Sequence, residues 1–227
     1  MELDLTRGSV LKNVVRFSLP YLLSYFLQTL YGMADLFIIG QYAGVEATTA
    51  VSVGSQVMHM LTVMLVGLAM GTTVSIAQTV GARDHARAAA ATGSTVTLFM
   101  TLSVVLTGLL LLLRGSIVSA MSTPEEAVAL AGGQYLRGYI WDSFFAGVQF
   151  SFSGYFCACG RSGLSFLHNF LSIVLVRIPG AYAASRLFAQ TLLPMGLANA
   201  AGSLFSILVC VCAYLILTRR EPRLQED

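Results

Sequence analysis

Long apolar stretches separated by short polar connections run through the whole chain. Six stretches reach the length of about 20 residues that a helix needs to cross the apolar core of a bilayer. They lie at about 14-39, 50-78, 92-113, 136-158, 164-188 and 195-218. The pattern therefore predicts an all-α integral membrane protein with six transmembrane helices, in a single domain that covers residues 1-227.

The composition supports a membrane protein and excludes other classes. Hydrophobic residues make up 56% of the 227-residue chain and charged residues 11%, whereas an average soluble domain is about 25% charged. The net charge of +2 is too small to indicate a nucleic acid partner. Enzymatic motifs such as H-E-x-x-H and the P-loop do not occur in the sequence. We therefore expect neither an enzyme nor a bound metal or organic cofactor.

Basic residues predict the orientation, because Lys and Arg concentrate in cytoplasmic loops. With a cytoplasmic N-terminus, the inner segments hold Arg7, Lys12, Arg16, Arg83, Arg87, Arg161, Arg219, Arg220 and Arg223, and the outer ends hold Arg114, Arg137 and Arg186. We expect a multi-pass protein of the cell membrane with both termini, including the tail at 219-227, in the cytoplasm. The first span is too long for a secretory signal, so we expect it to be retained.

The third connection, at about 114-135, carries a pattern typical of a helix start. Ser122 or Thr123 can cap a helix whose first position is Pro124. We expect either a short external helix near the membrane interface or an ordinary solvated loop in this segment.

A lone carboxylate, Asp35, lies near the end of the first apolar span. An ionisable group inside a membrane-spanning segment is costly unless it faces a wet cavity or a partner, so it indicates a functional site by default. Asp35 is our first candidate for a cation-coupling site. The alternative is a helix-end carboxylate that is hydrogen-bonded near the outer interface.

Two further charged residues lie several residues or more from the ends of predicted spans. Asp142 lies at a depth similar to that of Asp35, so the two carboxylates could share a polar pocket; alternatively, Asp142 and Trp141 form an interfacial anchor. Arg177 lies about 11 residues from the nearer end of its span, too deep to reach water easily, and should face the bundle interior. It could satisfy the carbonyl that Pro179 leaves free, or it could contact substrate.

Other polar side chains within the spans could line a substrate cavity. The candidates are Gln28, Tyr31, Gln56, His59 and Gln149, with Thr29, His168 and Asn169 near them. Each of them could instead form hydrogen bonds between helices. The pair Gly67 and Gly71 has the spacing that is typical of close helix packing.

Several motifs resemble the multidrug and toxic compound extrusion (MATE) family. The pattern of Pro20, Asp35 and Gly40 resembles the first helix of that family, and Gln78-Thr-Val-Gly-Ala-Arg-Asp84 is similar to its first cytoplasmic loop. Residues 8-113 thus resemble the first three helices. Three later segments, within about 134-218, resemble the last three helices: Ser153 to Gly163, Val176 to Tyr182 and Leu193 to Leu197.

The resemblance implies a shortened transporter that forms one lobe, without the middle six helices of a twelve-helix member. It implies a half-sized antiporter that exports organic or drug-like compounds, with a proton or sodium ion as its coupling ion and Asp35 as the residue that binds it. A single lobe would need a homodimer or a related half-transporter, because secondary transporters bind substrate between two symmetry-related units. The alternative is an internally deleted, non-transporting remnant or a membrane partner of a full-length transporter.

Overall fold

The computed structural model describes residues 9–42, 44–82, 84–121, 126–188 and 190–220, nearly all of them in helices. The helices are α1 (Val10–Tyr42), α2 (Val45–Gly81), α3 (His85–Met121), α4 (Glu126–Ala158), α5 (Ser162–Ser172), α6 (Ile178–Leu187) and α7 (Leu193–Arg220). A π-helical turn, Ile173–Arg177, joins α5 to α6 without a break. The predicted all-α fold is confirmed.

Five helical stretches in the described residues are long and apolar enough to cross a membrane. They are Val10–Tyr42, Val45–Gly81, Ala90–Leu113, Ser162–Leu187 and Leu193–Leu217. The sixth predicted span, 136-158, lies in α4, which is less apolar because it carries polar side chains that the other helices cover, such as Asp142 and Gln149. The exact count of six crossings therefore stays a prediction.

Helix α4 is the centre of the bundle and packs against α2, α3, α5 and α7. Its crossing with α7 is close, because glycines on both helices bring the backbones into contact. A Cβ at Gly138 would lie 2.5 Å from the carbonyl oxygen of Leu193, and a Cβ at Gly196 would collide with the carbonyl oxygen of Tyr135. Small residues at a membrane helix interface permit this approach.

The predicted packing role of Gly67 and Gly71 is wrong for contacts within the described single chain. Both glycines are exposed on α2, and a Cβ at either position would have no neighbour within 4 Å in the described part of the chain. Glycine spacing alone does not identify an interface, because it does not say which face of a helix meets a partner.

The separate external helix or loop predicted at 114-135 is also wrong for the part that the structure describes. Helix α3 continues to Met121, and α4 is already helical from Glu126. The first turn of α4 is held by packing, since Val128 is buried in a cluster with Ala50 and Val51 of α2. The predicted cap at Ser122 or Thr123 and Pro124 lies outside the described residues.

Polar contacts hold the α5 to α6 helix against α7. His168 Nδ1 lies 2.7 Å from Ser206 Oγ, Ser172 Oγ donates to the carbonyl oxygen of Gly202 at 2.6 Å, and an Nη2 of Arg177 donates to Ser203 at 2.7 Å. Ser172 is four positions after His168, but Arg177 is five positions after Ser172. The π-helical turn accommodates the extra residue, so all three side chains face α7.

Candidate ion-coupling site and adjacent cavity

Asp35 lies in the bundle interior, where only 3% of its surface is exposed. Its Oδ2 accepts a long hydrogen bond of 3.4 Å from the hydroxyl of Tyr135 on α4. The other carboxylate oxygen, Oδ1, is buried and has no hydrogen-bond partner among the described residues. A buried carboxylate with one weak contact and one unpartnered oxygen is incompletely solvated, which favours uptake of a proton or a cation.

The hydroxyl of Tyr135 connects Asp35 to two other helices. It lies 3.0 Å from Ser55 Oγ on α2 and 3.5 Å from Nδ2 of Asn199 on α7. Asn199 is fully buried, and its Oδ1 accepts a 2.6 Å hydrogen bond from the hydroxyl of Tyr31 on α1. We call Tyr31, Asp35, Ser55, Tyr135 and Asn199 the Asp35 cluster.

Asp142 and Arg177 form a second buried cluster. An Nη2 of Arg177 lies 3.4 Å from Oδ1 of Asp142, and both side chains are less than a tenth exposed. Ser203 of α7 contacts both groups, since its hydroxyl accepts from Arg177 and donates to the same carboxylate oxygen of Asp142. We call these three residues the Asp142 cluster.

This arrangement decides between the alternatives for Asp142 and Arg177. Asp142 is buried beside the exposed Trp141 and is not an interfacial anchor. Arg177 faces the bundle interior as predicted, but the expectation that it satisfies the carbonyl freed by Pro179 is wrong. Within the described residues, its guanidinium donates to Asp142 and Ser203, because the π-helical turn directs it toward α4 and α7.

Tyr31 joins the two clusters. Its hydroxyl belongs to the Asp35 cluster, while its ring lies 5.6 Å from the guanidinium carbon of Arg177, a distance at which a cation and an aromatic face attract each other. Asp35 and Asp142 thus lie in two neighbouring polar clusters, with the side chain of Tyr31 between them. They do not share the single pocket that the sequence predicted.

Helical spacing explains why these residues meet. Residues three and four apart lie on one face of a helix. Such stripes are formed by Ser24, Gln28, Tyr31 and Asp35 on α1, by Tyr135, Tyr139, Asp142, Gln149 and Ser153 on α4, and by Asn199, Ser203 and Ser206 on α7. Tyr135, Asn199 and Ser55 were not among the sequence-predicted site residues. The polar stripe of α4 that contains Asp142 could have identified Tyr135. A lone Asn in the apolar α7 could have identified Asn199.

A cavity of about 70 Å³ lies beside the Asp142 cluster, between α1, α2, α4, α5 and α7. Its polar lining includes Ser24, Gln28, Gln149, Ser153, Ser165, His168 and Asn169 together with Asp142, Arg177 and Ser203. Three residues of this lining also carry a buried polar atom without a hydrogen-bond partner in the described residues: Ser24 Oγ, His168 Nε2 and Arg177 Nε. The polar lining and the volume of the cavity suit water, since a single water needs about 10–15 Å³ of such volume.

The five predicted substrate-cavity residues are distributed over three places. Gln28 and Gln149 line the cavity beside Asp142. Tyr31 is buried in the Asp35 cluster. Gln56 and His59 lie on the exposed face of α2, away from both clusters. The expectation of one pocket formed by all five is therefore wrong within the described single chain.

Pro20 lies inside α1 and Pro179 near the start of α6, and neither ends its helix. Pro179 follows the π-helical turn directly, where the hydrogen-bond pattern has already changed. Their predicted structural roles stay predictions.

Comparison with known proteins identifies the family. The MatE family profile matches residues 20–183, most of the chain. The probable multidrug resistance protein YoeA of Bacillus subtilis is 27% identical over 170 residues, which cover 75% of this chain and 36% of YoeA. The probable multidrug resistance protein NorM of Thermotoga maritima is 27% identical over 168 residues, which cover 72% of this chain and 36% of NorM.

Solved structures share the fold. An outward-facing multidrug resistance MATE family transporter of the MOP superfamily superposes with a TM-score of 0.83 at 25% identity, over 96% of this chain and 47% of that one. A MOP superfamily transporter from Pyrococcus furiosus gives the same TM-score, identity and coverage.

The chain spans about a third of the length of the curated relatives and about half of the solved chains. The family match runs through 114-135, between the two segments that resemble different parts of the family. The assignment of the second segment to the last three helices stays a prediction. Members of this family are transporters, which confirms the expectation of a multi-pass membrane protein that is not an enzyme. By its sequence match and its fold, the chain belongs to the MatE family of membrane transporters.

Proposed function

We propose that the chain is a half-sized, cation-coupled antiporter that exports organic or drug-like compounds. The observation that carries this proposal is the Asp35 cluster, in which a buried carboxylate keeps one oxygen without a hydrogen-bond partner in the described residues. A proton on Asp35, or a sodium ion held by oxygen atoms of Asp35, Tyr135 and Asn199, would complete this cluster. Loss or gain of the charge on Asp35 changes the free energy of keeping this carboxylate buried, and this change can be coupled to a conformational step.

The second buried carboxylate, Asp142, is proposed to tune this coupling. Its charge is paired with Arg177, and its Oδ1 accepts a hydrogen bond from Ser203. The cost of burying its charge is therefore better offset than that of Asp35. We therefore assign the primary coupling role to Asp35 and a secondary role to Asp142.

The organic substrate is proposed to bind between two lobes. The cavity of about 70 Å³ inside the described bundle is far smaller than the roughly 300–1,000 Å³ of sites for drug-sized ligands. The exposed face of α2 offers a better surface, because it combines Gln56 and His59 with Met60 and Met64. Methionine adapts to ligands of different shape, and the polar pair would be costly against lipid.

A parallel homodimer with twofold symmetry is the simplest assembly that covers this face. The same face would serve if the partner were a related half-transporter, since secondary transporters commonly bind substrate between two repeats. A single cysteine in place of Met64, in a variant without the native cysteines, should crosslink between two copies in proteoliposomes. Crosslinking at the same efficiency from Leu112, which is 84% exposed on α3, would indicate random collision and contradict the dimer.

We further propose that the protein lies in the cell membrane with both termini in the cytoplasm, as the distribution of Lys and Arg favours. Cysteines introduced singly at positions 84 and 125 should react with impermeant reagents from opposite sides of the membrane, position 84 from the inside. Reaction of both positions from one side would contradict this topology.

The central experiment measures transport of a fluorescent organic cation by the purified chain in proteoliposomes under an imposed proton or sodium gradient. Asp35→Asn, which keeps the size and removes the titrating group, should abolish gradient-driven transport without loss of folded protein. The matched control is Asp84→Asn, since Asp84 lies at the α2–α3 connection, where it pairs with Arg87, and it should transport normally. Wild-type transport by Asp35→Asn would reject Asp35 as the coupling residue. No transport by the unmutated chain would favour the remnant or the membrane partner.

A further inference from the structure

The cavity beside the Asp142 cluster is lined by polar groups whose hydrogen-bonding capacity the bundle does not use. It lies on the side of α4 that faces α1, which itself packs against α2, α5 and α6. We propose that this cavity binds a small zwitterion, an α-amino acid of the size of glycine or alanine. Its carboxylate contacts Arg177 and its ammonium group contacts Asp142. This site is separate from the α2 surface proposed for organic substrates, and the inference does not rest on the antiporter function.

Two glutamine side chains in the lining have unused hydrogen-bonding groups. Gln28 of α1 and Gln149 of α4 both line the cavity. Neither amide has a hydrogen-bond partner among the described residues, and neither is closed off from water. An amide side chain offers N–H donors and a carbonyl acceptor, and leaving such groups without any partner in a membrane interior is costly. Both side chains therefore need water or a ligand in the cavity.

The ion pair also leaves one side open. Arg177 uses Nη2 for both Asp142 and Ser203, and Asp142 uses Oδ1 for both Arg177 and Ser203. Nη1 of Arg177 and Oδ2 of Asp142 have no partner among the described residues, and neither atom is closed off from water. Both residues line the cavity. The pair thus presents an unused cationic donor next to an unused anionic acceptor.

The charges of the site select the class of ligand. Asp142 and Arg177 offset each other, so a ligand with a net charge would leave an uncompensated charge in the membrane interior. A zwitterion keeps the site neutral and gains a charge-assisted hydrogen bond to each residue. The nearest atoms of the two side chains are 3.4 Å apart. The ammonium and carboxylate groups of an α-amino acid are likewise neighbours, because both are attached to the same carbon atom.

Neutral groups can complete the hydrogen bonds of such a ligand. The carbonyl oxygens of Gln28 and Gln149 can accept from its ammonium group, and their N–H groups can donate to its carboxylate. The hydroxyl of Tyr139 is a further group of the lining without a hydrogen-bond partner among the described residues. The ligand would therefore satisfy groups from α1 and α4 at the same time.

The size of the cavity limits the ligand to a few atoms. Its volume is about 70 Å³, enough for roughly five to seven waters at about 10–15 Å³ each. Glycine and alanine have about as many non-hydrogen atoms as this number of waters. Val66, Ala146 and Phe150 add an apolar part to the lining, against which the carbon atoms of the ligand can lie. An amino acid with a large side chain would not fit.

The test is equilibrium binding of radiolabelled glycine to the whole chain in lipid nanodiscs, without any ion gradient. We expect saturable binding with a Kd of about 1 mM or lower. Unlabelled alanine should compete. Acetate lacks the ammonium group, methylamine lacks the carboxylate, acetamide lacks both charges and phenylalanine is too large, so none of these should compete. The competition series uses the unmutated protein and does not depend on the folding of variants.

Two variants and a control assign the binding to this cavity. Gln149→Leu should weaken glycine binding by about tenfold, because it removes hydrogen bonds to the ligand and none within the described protein. Arg177→Lys keeps the charge beside Asp142 but loses the planar fork that can serve Ser203 and the ligand together, so it should weaken binding at least as much. The matched control is Gln78→Leu, which is exposed on α2 outside this lining and should bind glycine normally.

Three results would overturn the inference. The absence of saturable glycine binding would mean that the cavity holds water only. Competition by acetate, methylamine or acetamide as strong as that by alanine would contradict recognition of a zwitterion. Unchanged glycine binding by Gln149→Leu would show that the ligand binds elsewhere.

The outcomes separate this site from the antiporter proposal. Glycine binding by a chain that does not transport organic cations under any gradient would retain the site and reject the antiporter. Gradient-driven transport by a chain that does not bind glycine would reject the site and retain the antiporter.

Discussion

The Asp142 and Arg177 pair provides a sharp test of how the bundle tolerates charge. The two side chains are 9% and 8% exposed, and their nearest atoms are 3.4 Å apart. At an effective dielectric constant of about 20, unit charges at this distance attract by about 5 kcal/mol, and the cost of burying them offsets most of this gain. The pair should therefore add little net stability, whereas either charge alone should be strongly destabilising.

We predict that Asp142→Leu lowers the free energy of unfolding by about 3–5 kcal/mol, because it leaves the Arg177 guanidinium buried without an ionic partner. Arg177→Met should have a similar effect through the unpaired carboxylate. The double variant should recover most of the loss, since apolar residues of similar volume replace the whole pair.

The assay is reversible unfolding in mixed micelles, followed by the fluorescence of the single tryptophan. This residue, Trp141, adjoins Asp142 and reports on the same region of α4. The four proteins form a double-mutant cycle, in which we expect a coupling energy of several kcal/mol. Additive losses, with the double variant as unstable as the sum of the single variants, would refute the inference that the two charges compensate each other.

Two further predictions concern helix packing. Gly196→Ala should destabilise the bundle by about 1–3 kcal/mol through overpacking, because the new Cβ would meet the backbone of α4. The control is Gly67→Ala, which faces open space and should be neutral or stabilising. Equal losses of thermal stability in the two variants would contradict the assignment of the α4–α7 contact. Deletion of Leu175 from the π-helical turn should preserve folding, because Ser172 and Arg177 would then be four residues apart and still share a face. Deletion of Leu204, which would rotate Ser206 away from Ser203 on α7, should abolish folding. Equal yields of folded protein from both deletions would contradict the inference that the π-helical turn accommodates one extra residue.

The sequence by itself determined the membrane class, the positions of the helices and the unusual charges. Long apolar runs must form helices in lipid, because every backbone polar group there needs an internal partner. An ionisable residue within such a run must avoid lipid, so the inward position of Arg177 was predicted from sequence alone, whereas burial was one of two alternatives for Asp35 and for Asp142. The end of α3 and the start of α4 did not, since packing of Val128 against α2 extends the helix through residues that resemble a loop.

Only the tertiary structure decided which partners these charges have. Arg177 meets Asp142 because one extra residue in the π-helical turn rotates it toward α7 and α4, and apolar periodicity does not predict such a turn. Tyr135 and Asn199 complete the Asp35 cluster because Gly138 and Gly196 let α4 and α7 approach closely. Helix formation in a membrane depends on local apolarity, so the sequence of each segment is enough to predict it. Which helix faces meet depends on contacts between helices that are distant in the chain, so it is decided only in the assembled bundle.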